Sequence, residues 1–193
     1  MNQSVEHHPL TPFLPAGCRL LMLGSFPPPH QRWSMDFFYP NYTNDMWRIM
    51  GQVFYADKDR FVDKQNKTFK LKLLCRFLEE KGIGLFDTAI AVERTQGNAS
   101  DSNLKVVERT DVKALLERIP ACEAIITTGQ LATQLLQQSL ELEKAPAIGQ
   151  SVDFQIESRN IRCYRLPSSS RRLMGSVEQK AAAYAEILKQ HTK

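Results

Sequence analysis

Short apolar runs of strand length alternate along this chain with stretches whose apolar residues recur every three or four positions. That alternation decides the fold class before any motif is read. Arg19-Leu-Leu-Met-Leu-Gly24 is the first such run; it follows Pro15-Ala-Gly17, ends in glycine and reads as a buried strand. Met46, Ile49, Met50, Val53 and Phe54 then fall at helical spacing behind Asn44-Asp45. Leu71, Leu74, Cys75 and Leu78 mark a helix over about Thr68 to Lys81, stopped by Gly82. Ile83 to Val92 reads as one strand interrupted by Asp87. Thr110-Asp111 opens a helix on Val112, Leu115, Leu116 and Ile119, Ala124 to Thr128 is a strand, and Gly129 to Leu142 a helix. Val152 to Ile156 and Ile161 to Leu166 form a hairpin across Ser158-Arg159-Asn160. Ser176-Val-Glu-Gln179 is a capping box for a last helix that turns Val177, Ala181, Tyr184 and Leu188 inward.

Strands alternating with helices predict an α/β protein: a single three-layer α/β/α domain over residues 1–193 with a central, mostly parallel sheet, residues 1–17 being an N-terminal extension. Ligands of such sheets bind beyond the carboxyl ends of the strands. The loops to inspect are therefore Ser25–Thr43, Asp87–Asn103 and Pro167–Gly175.

Composition bounds the function classes. With 42% hydrophobic and 24% charged residues, the 193-residue chain has ordinary globular usage and enough length for a full core. Its net charge of +4 is mild, but the stretch from Ser158 to Arg172 holds Arg159, Arg162, Arg165, Arg171 and Arg172 and no acidic residue. Lys64, Lys67, Lys70 and Lys72 form a second basic group, read as a solvated face. Cys18, Cys75, Cys122 and Cys163 sit in apolar contexts without metal-ligand spacing, so core thiols in a reducing compartment are expected, with no metal and no cofactor. MNQSVEHHPL lacks the layout of a secretory signal, and no apolar run has membrane-spanning length. A cytoplasmic, nucleoid-associated monomer is the expectation.

Several catalytic devices are absent: no glycine-rich dinucleotide loop, no phosphate loop ending in Lys-Ser/Thr, and no Gly-x-Ser-x-Gly elbow. Of His7, His8, His30 and His191, only His30 falls in a loop marked for inspection. What remains is Leu23-Gly24-Ser25-Phe26-Pro27 at a strand end, an aromatic loop Phe37-Phe38-Tyr39-Pro40-Asn41-Tyr42, and Asn44-Asp-Met-Trp47 at a helix start. Aromatic residues clustered in a loop either stack on a flat ligand or plug the domain.

Leu-Gly-Ser-Phe-Pro-Pro, followed by Phe-Phe-Tyr-Pro and Asn-Asp-Met-Trp-Arg-Ile, resembles the first motif region of the uracil-DNA glycosylase superfamily. The mismatch-specific uracil/thymine and hypoxanthine-DNA glycosylase branches are the nearest. Leu166-Pro167-Ser168-Ser169-Ser170 resembles the Pro-Ser motif before that family's final helix, and Asp87 in Gly84-Leu-Phe-Asp falls where the family has a base-reading strand. The resemblance spans about Arg19 to Ala185. Phe26 stands where mismatch-specific enzymes carry Asn, and the Asp and His of the classical uracil enzymes have no counterpart. The hypoxanthine branch depends on the Asn that corresponds to Asn44.

The resemblance implies a monofunctional DNA glycosylase that hydrolyses the N-glycosidic bond of a deaminated base, uracil or hypoxanthine, flipped out of single- or double-stranded DNA. It implies Asn44 and Asp87 as catalytic residues: Asp87 accepts from a ring N–H, and Asn44 supplies a donor to the leaving base or holds the water. Gly24, Ser25, Phe26, Phe37 and Phe38 would bind the base, and Ser168, Ser169, Ser170, Arg171 and Arg172 the DNA backbone. Arg171 or Leu173 would fill the vacated stack, since Ser170 is too small. Asn44 is equally suited to capping a helix, and Asp87 to capping a neighbouring loop. Two other functions stay open: a non-catalytic nucleic-acid-binding module, and an unrelated small hydrolase attacking through Ser25.

Overall fold

The computed structural model describes residues 4–95, 100–172 and 175–193. In chain order the elements are β1 (Val5–His7), β2 (Leu20–Gly24), α1 (Met46–Tyr55), β3 (Val62–Asp63), β4 (Thr68–Phe69), α2 (Leu71–Lys81), β5 (Ile83–Asp87), β6 (Ala89–Arg94), β7 (Leu104–Arg109), α3 (Val112–Arg118), β8 (Ala124–Thr128), α4 (Gln130–Leu140), β9 (Ser151–Ile156), β10 (Arg159–Leu166) and α5 (Val177–His191).

A five-stranded sheet in the order β5-β2-β8-β10-β9 forms the centre. Its first four strands are parallel and β9 joins antiparallel at the edge, as the alternation of elements predicts. Every residue of β2, β5 and β8 is buried, which explains why these segments read as continuous apolar runs: both faces are covered by helices. β9 alternates exposed and half-buried residues, turning Val152, Phe154 and Ile156 toward the core. α1 packs on α5 and α3 on α4. Gly82, in the left-handed conformation at φ 66°, ends α2, and the capping box at Ser176 and Gln179 starts α5. No described helix is long and apolar enough to cross a membrane. Cys18, Cys122 and Cys163 are buried, and burial pushes their thiols up to about 11, 12 and 12.

Three local expectations need correction. The helix expected from Thr68 begins at Leu71, because Thr68-Phe69 pairs with Val62-Asp63 in a small ribbon that anchors the buried Phe61 and Phe69. The hairpin turns at Glu157-Ser158, with Glu157 at φ 52°, and Arg159 already pairs with Ile156. The run from Ile83 to Val92 is two strands in two sheets: β5 ends at Asp87, while β6 joins the antiparallel sheet β1-β6-β7. Thr88 makes the switch. Its backbone N–H and hydroxyl both donate to the Gly24 carbonyl, at 2.9 and 3.0 Å, and Thr110 Oγ1 donates to the Asp87 carbonyl at 2.6 Å. The polar pair Asp87-Thr88 thus marks a change of sheet rather than a flaw in one strand. β7, largely exposed, carries only the short alternation of Leu104 and Val106, which pack on the apolar cluster under Phe26, and is held by pairing to β6.

The segment before residue 18 adds structure to both sheets. β1 pairs antiparallel with β6, and Phe13 exchanges backbone hydrogen bonds with Leu85 on the outer edge of β5.

Candidate functional site

The four parallel strands end side by side at Gly24, Asp87, Thr128 and Leu166, and a cavity of about 400 Å³ opens beyond these ends. Its walls take in Gly24, Ser25, Phe26, Phe38, Tyr39, Asn44, Asp87, Asp101, Thr128 and the segment from Ser168 to Arg172. All three loops marked for inspection contribute.

Asp87 is positioned from two sides. Its Oδ2 lies 2.9 Å from His8 Nε2, and since an ionised carboxylate only accepts, the imidazole donates through Nε2. Its Oδ1 lies against Gly24, where a Cβ would approach to 2.4 Å; Gly24 is therefore glycine because the carboxylate occupies that space. The His8 side chain is 3% exposed and sits among Phe26, Phe38 and Phe86, with ring centroids 5.4, 6.3 and 4.8 Å away. Sequence reading grouped His8 with the N-terminal residues and missed it, because its partner is 79 positions on. His30 stays in its loop, exposed and stacked on Trp33, away from the cavity wall.

The two phenylalanines separate. Phe38 lines the cavity between His8 and Phe86. Phe37 does not line it; its ring packs edge-on to Phe13 and against Trp47 in the core. Tyr39 takes the place next to Phe38 in the wall, with its hydroxyl 3.3 Å from Thr128 Oγ1 and burial pushing its phenol well above the usual range. Its backbone φ of 48° is uncommon for an aromatic residue and marks strain at the cavity. Phe26 lines the cavity and packs with Ala89, Val92 and Leu135 under the second sheet.

Asn44 is half-buried at the start of α1. Its Oδ1 accepts from Met46 N–H at 2.8 Å, so the amide oxygen caps the helix, and the residue lines the cavity. Asp45, the residue directly before the helix, makes no capping bond. Its carboxylate instead receives Lys180 Nζ at 2.8 Å and Arg171 Nε at 3.0 Å, and its N–H donates to the Ser169 carbonyl at 3.0 Å. Lys180 also donates to the Ser170 carbonyl at 2.9 Å. This buried ion pair, 4% and 5% exposed, ties the serine segment to α1 and α5 and was not legible in the sequence.

Within that segment, Ser168 Oγ accepts from Ser170 N–H and Ser170 Oγ from Arg172 N–H, which shapes a turn and leaves the hydroxyl protons to donate. Ser169 is buried. Arg171 is spent partly on Asp45, whereas the Arg172 side chain is exposed and forms no ion pair among the described residues. Leu173, the other candidate for filling a vacated stack, lies outside the described residues.

The last member of the wall is Asp101, in a short helical turn before β7. Ser25 Oγ donates to its Oδ1 at 2.7 Å. Burial is the main cause that holds this carboxyl above the usual range; the Asp87 carboxylate adds to it, and Ser25 and Arg94 work against it. No group of three or more His, Cys, Asp or Glu among the described residues is arranged to hold a metal ion.

A solved structure has the same architecture: a candidate uracil DNA glycosylase of Methanosarcina acetivorans, determined by solution NMR, superposes with a TM-score of 0.63 at 22% identity over 96% of this chain and 99% of that one. This chain shares that protein's fold. No family model matches the sequence, and no curated protein does. At that identity the likeness reaches the fold alone, and the chemistry has to be argued from the side chains in the cavity.

Proposed function

We propose that this chain is a DNA glycosylase that hydrolyses the N-glycosidic bond of a deaminated base, hypoxanthine or uracil, flipped into the cavity. The observation that carries this reading is the convergence of the Asp87 carboxylate, the Phe38 ring and the Asn44 amide in one cavity, with Ser168–Arg172 on its rim. A flat ring entering there stacks on Phe38 or Tyr39. Asp87, held as an acceptor by His8, takes a hydrogen bond from uracil N3–H or hypoxanthine N1–H and repels the unprotonated N1 of adenine or N3 of cytosine. The base departs with negative charge, and the Asn44 NH₂, oriented by the cap its oxygen makes, is a fixed donor to that charge. The serine hydroxyls and Arg172 contact backbone phosphates without reading sequence.

Base release from oligonucleotides bearing one hypoxanthine or one uracil, single- and double-stranded, followed by alkaline cleavage at the abasic site, tests the reading. Release from at least one substrate is expected. Tight binding with no release from any of them assigns the chain to a non-catalytic nucleic-acid-binding module instead. The Ser25 contact with Asp101 favours a second reading, a hydrolase attacking through Ser25. His8 serves Asp87 and not Ser25, which leaves Ser25 without an imidazole. Ester hydrolysis abolished by Ser25→Ala would favour it.

A further inference from the structure

The chemistry leaves one role unfilled: something must take a proton from the attacking water. Asn44 cannot fill it, because a carboxamide does not take up a proton near neutral pH, and its oxygen already accepts from Met46 N–H. Asp87 is clasped between His8 and Gly24 on the side where the base is read. Asp101 is the second carboxylate in the same cavity wall, and the base-reading scheme does not use it.

We propose that Asp101 is the general base of the hydrolysis, a catalytic residue that receives the proton of the attacking water. The inference rests on the glycosylase reading above. Its geometry suits the task. Oδ1 is held by the Ser25 hydroxyl at 2.7 Å, which fixes the carboxylate plane and leaves Oδ2 as the proton acceptor. Oδ2 lies toward Gly129 at the start of α4, a residue with no side chain to stand against it. In the step, the water oxygen bonds to C1′ of the sugar while one water proton passes to Asp101 Oδ2. The C1′–N bond breaks and its electron pair leaves with the base. The base anion is met by the Asn44 NH₂ and takes a proton from solvent after release.

The surroundings also favour a base. A half-buried carboxyl whose proton affinity is raised by desolvation takes a proton more readily than an exposed one. The charged groups facing it are Asp87 from the end of β5 and Arg94 from β6, and Arg94 is itself paired with Glu6 of β1. Because Asp101 must be ionised to act, the rate should fall as pH drops through its raised pKa. The acid limb should lie above the ordinary aspartate range.

Asp101→Asn is the discriminating variant, because its amide oxygen still accepts from Ser25 and keeps the loop tethered. Single-turnover base release is measured on the best of the hypoxanthine and uracil oligonucleotides, together with binding of the same oligonucleotide, melting temperature and the pH–rate profile. Expected are a rate lower by about 10²–10⁴-fold, binding within about threefold of wild type, an unchanged or higher melting temperature, and loss of the acid limb. An Asp101→Asn rate within about threefold of wild type, with Asn44→Asp inactive, overturns the role of Asp101 and leaves the glycosylase reading standing. No base release by wild type itself overturns both.

Discussion

His8 Nε2 and Asp87 Oδ2 are 2.9 Å apart, which makes an imidazole from the start of the chain the partner that orients the Asp87 carboxylate in the cavity wall. A hydrogen bond to a charged group is worth about 1.5–3 kcal/mol. His8→Leu, which keeps bulk among the surrounding rings but has no donor, should therefore lower base release roughly 10–100-fold. His8→Gln restores a donor and should recover part of that loss. If His8 serves packing alone, both variants will shift melting and neither will change the rate per folded molecule.

Substitution can separate the cap that Asn44 makes from the donor role proposed for its amide. Asn44→Ala loses the cap to Met46 N–H and should cost about 0.5–2 kcal/mol of stability. Asn44→Asp keeps a capping oxygen and places a negative charge at a helix N-terminus, so its melting should stay near wild type. It lacks the NH₂ donor and sets an anion beside a departing anion, so turnover should fall about 10²–10³-fold or more. Equal single-turnover rates for Asn44→Asp and wild type would return Asn44 to capping alone.

Phe37 and Phe38 are adjacent in sequence and both are buried in the core, but only Phe38 also lines the cavity. Phe37→Ala empties core space against Phe13 and Trp47 and should cost about 3–5 kcal/mol, with little change in rate for the molecules that fold. Phe38→Ala removes a ring from the cavity wall and should weaken base release beyond its effect on stability. Denaturant melts paired with rates per folded molecule separate the two. A rate loss confined to Phe37→Ala would reverse the assignment.

Arg171 and Arg172 should likewise part company. Arg172→Ala should weaken binding to every DNA sequence alike and reduce the slope of log affinity against log salt by about one unit. Arg171→Ala takes one partner from Asp45 and should lower melting as well. An unchanged salt slope for Arg172→Ala would take that residue out of the interface.

Asp101 also carries a stability prediction. Its folded pKa lies above the unfolded value, so the ionised form is penalised by folding. The penalty is fully present at neutral pH and disappears as pH falls through the raised folded value toward the ordinary one. Asp101→Asn should therefore melt higher than wild type near pH 7, and the difference should shrink on acidification across that window. A difference that grows with acid would contradict the shift.

The sequence by itself determined what local rules encode. The buried strands Leu20–Gly24 and Ala124–Thr128, the stop at Gly82 and the capping box at Ser176 follow from short local patterns, and the mostly parallel sheet from the alternation of such strands and helices along the chain. The loops that would form the site were legible too, since strands ending together place their following loops together. Only the tertiary structure decided which side chains in those loops meet. Ser25 finds Asp101 across 76 positions, His8 finds Asp87 across 79, and Asp45 finds Lys180 across 135. No spacing rule reaches that far. Such pairs are set by which strand ends lie side by side and by where burial leaves a polar group no partner but another polar group. For the same reason Phe37 and Phe38 could not be told apart before folding: both rings pack in the core, and only the fold brings Phe38 to the cavity wall as well.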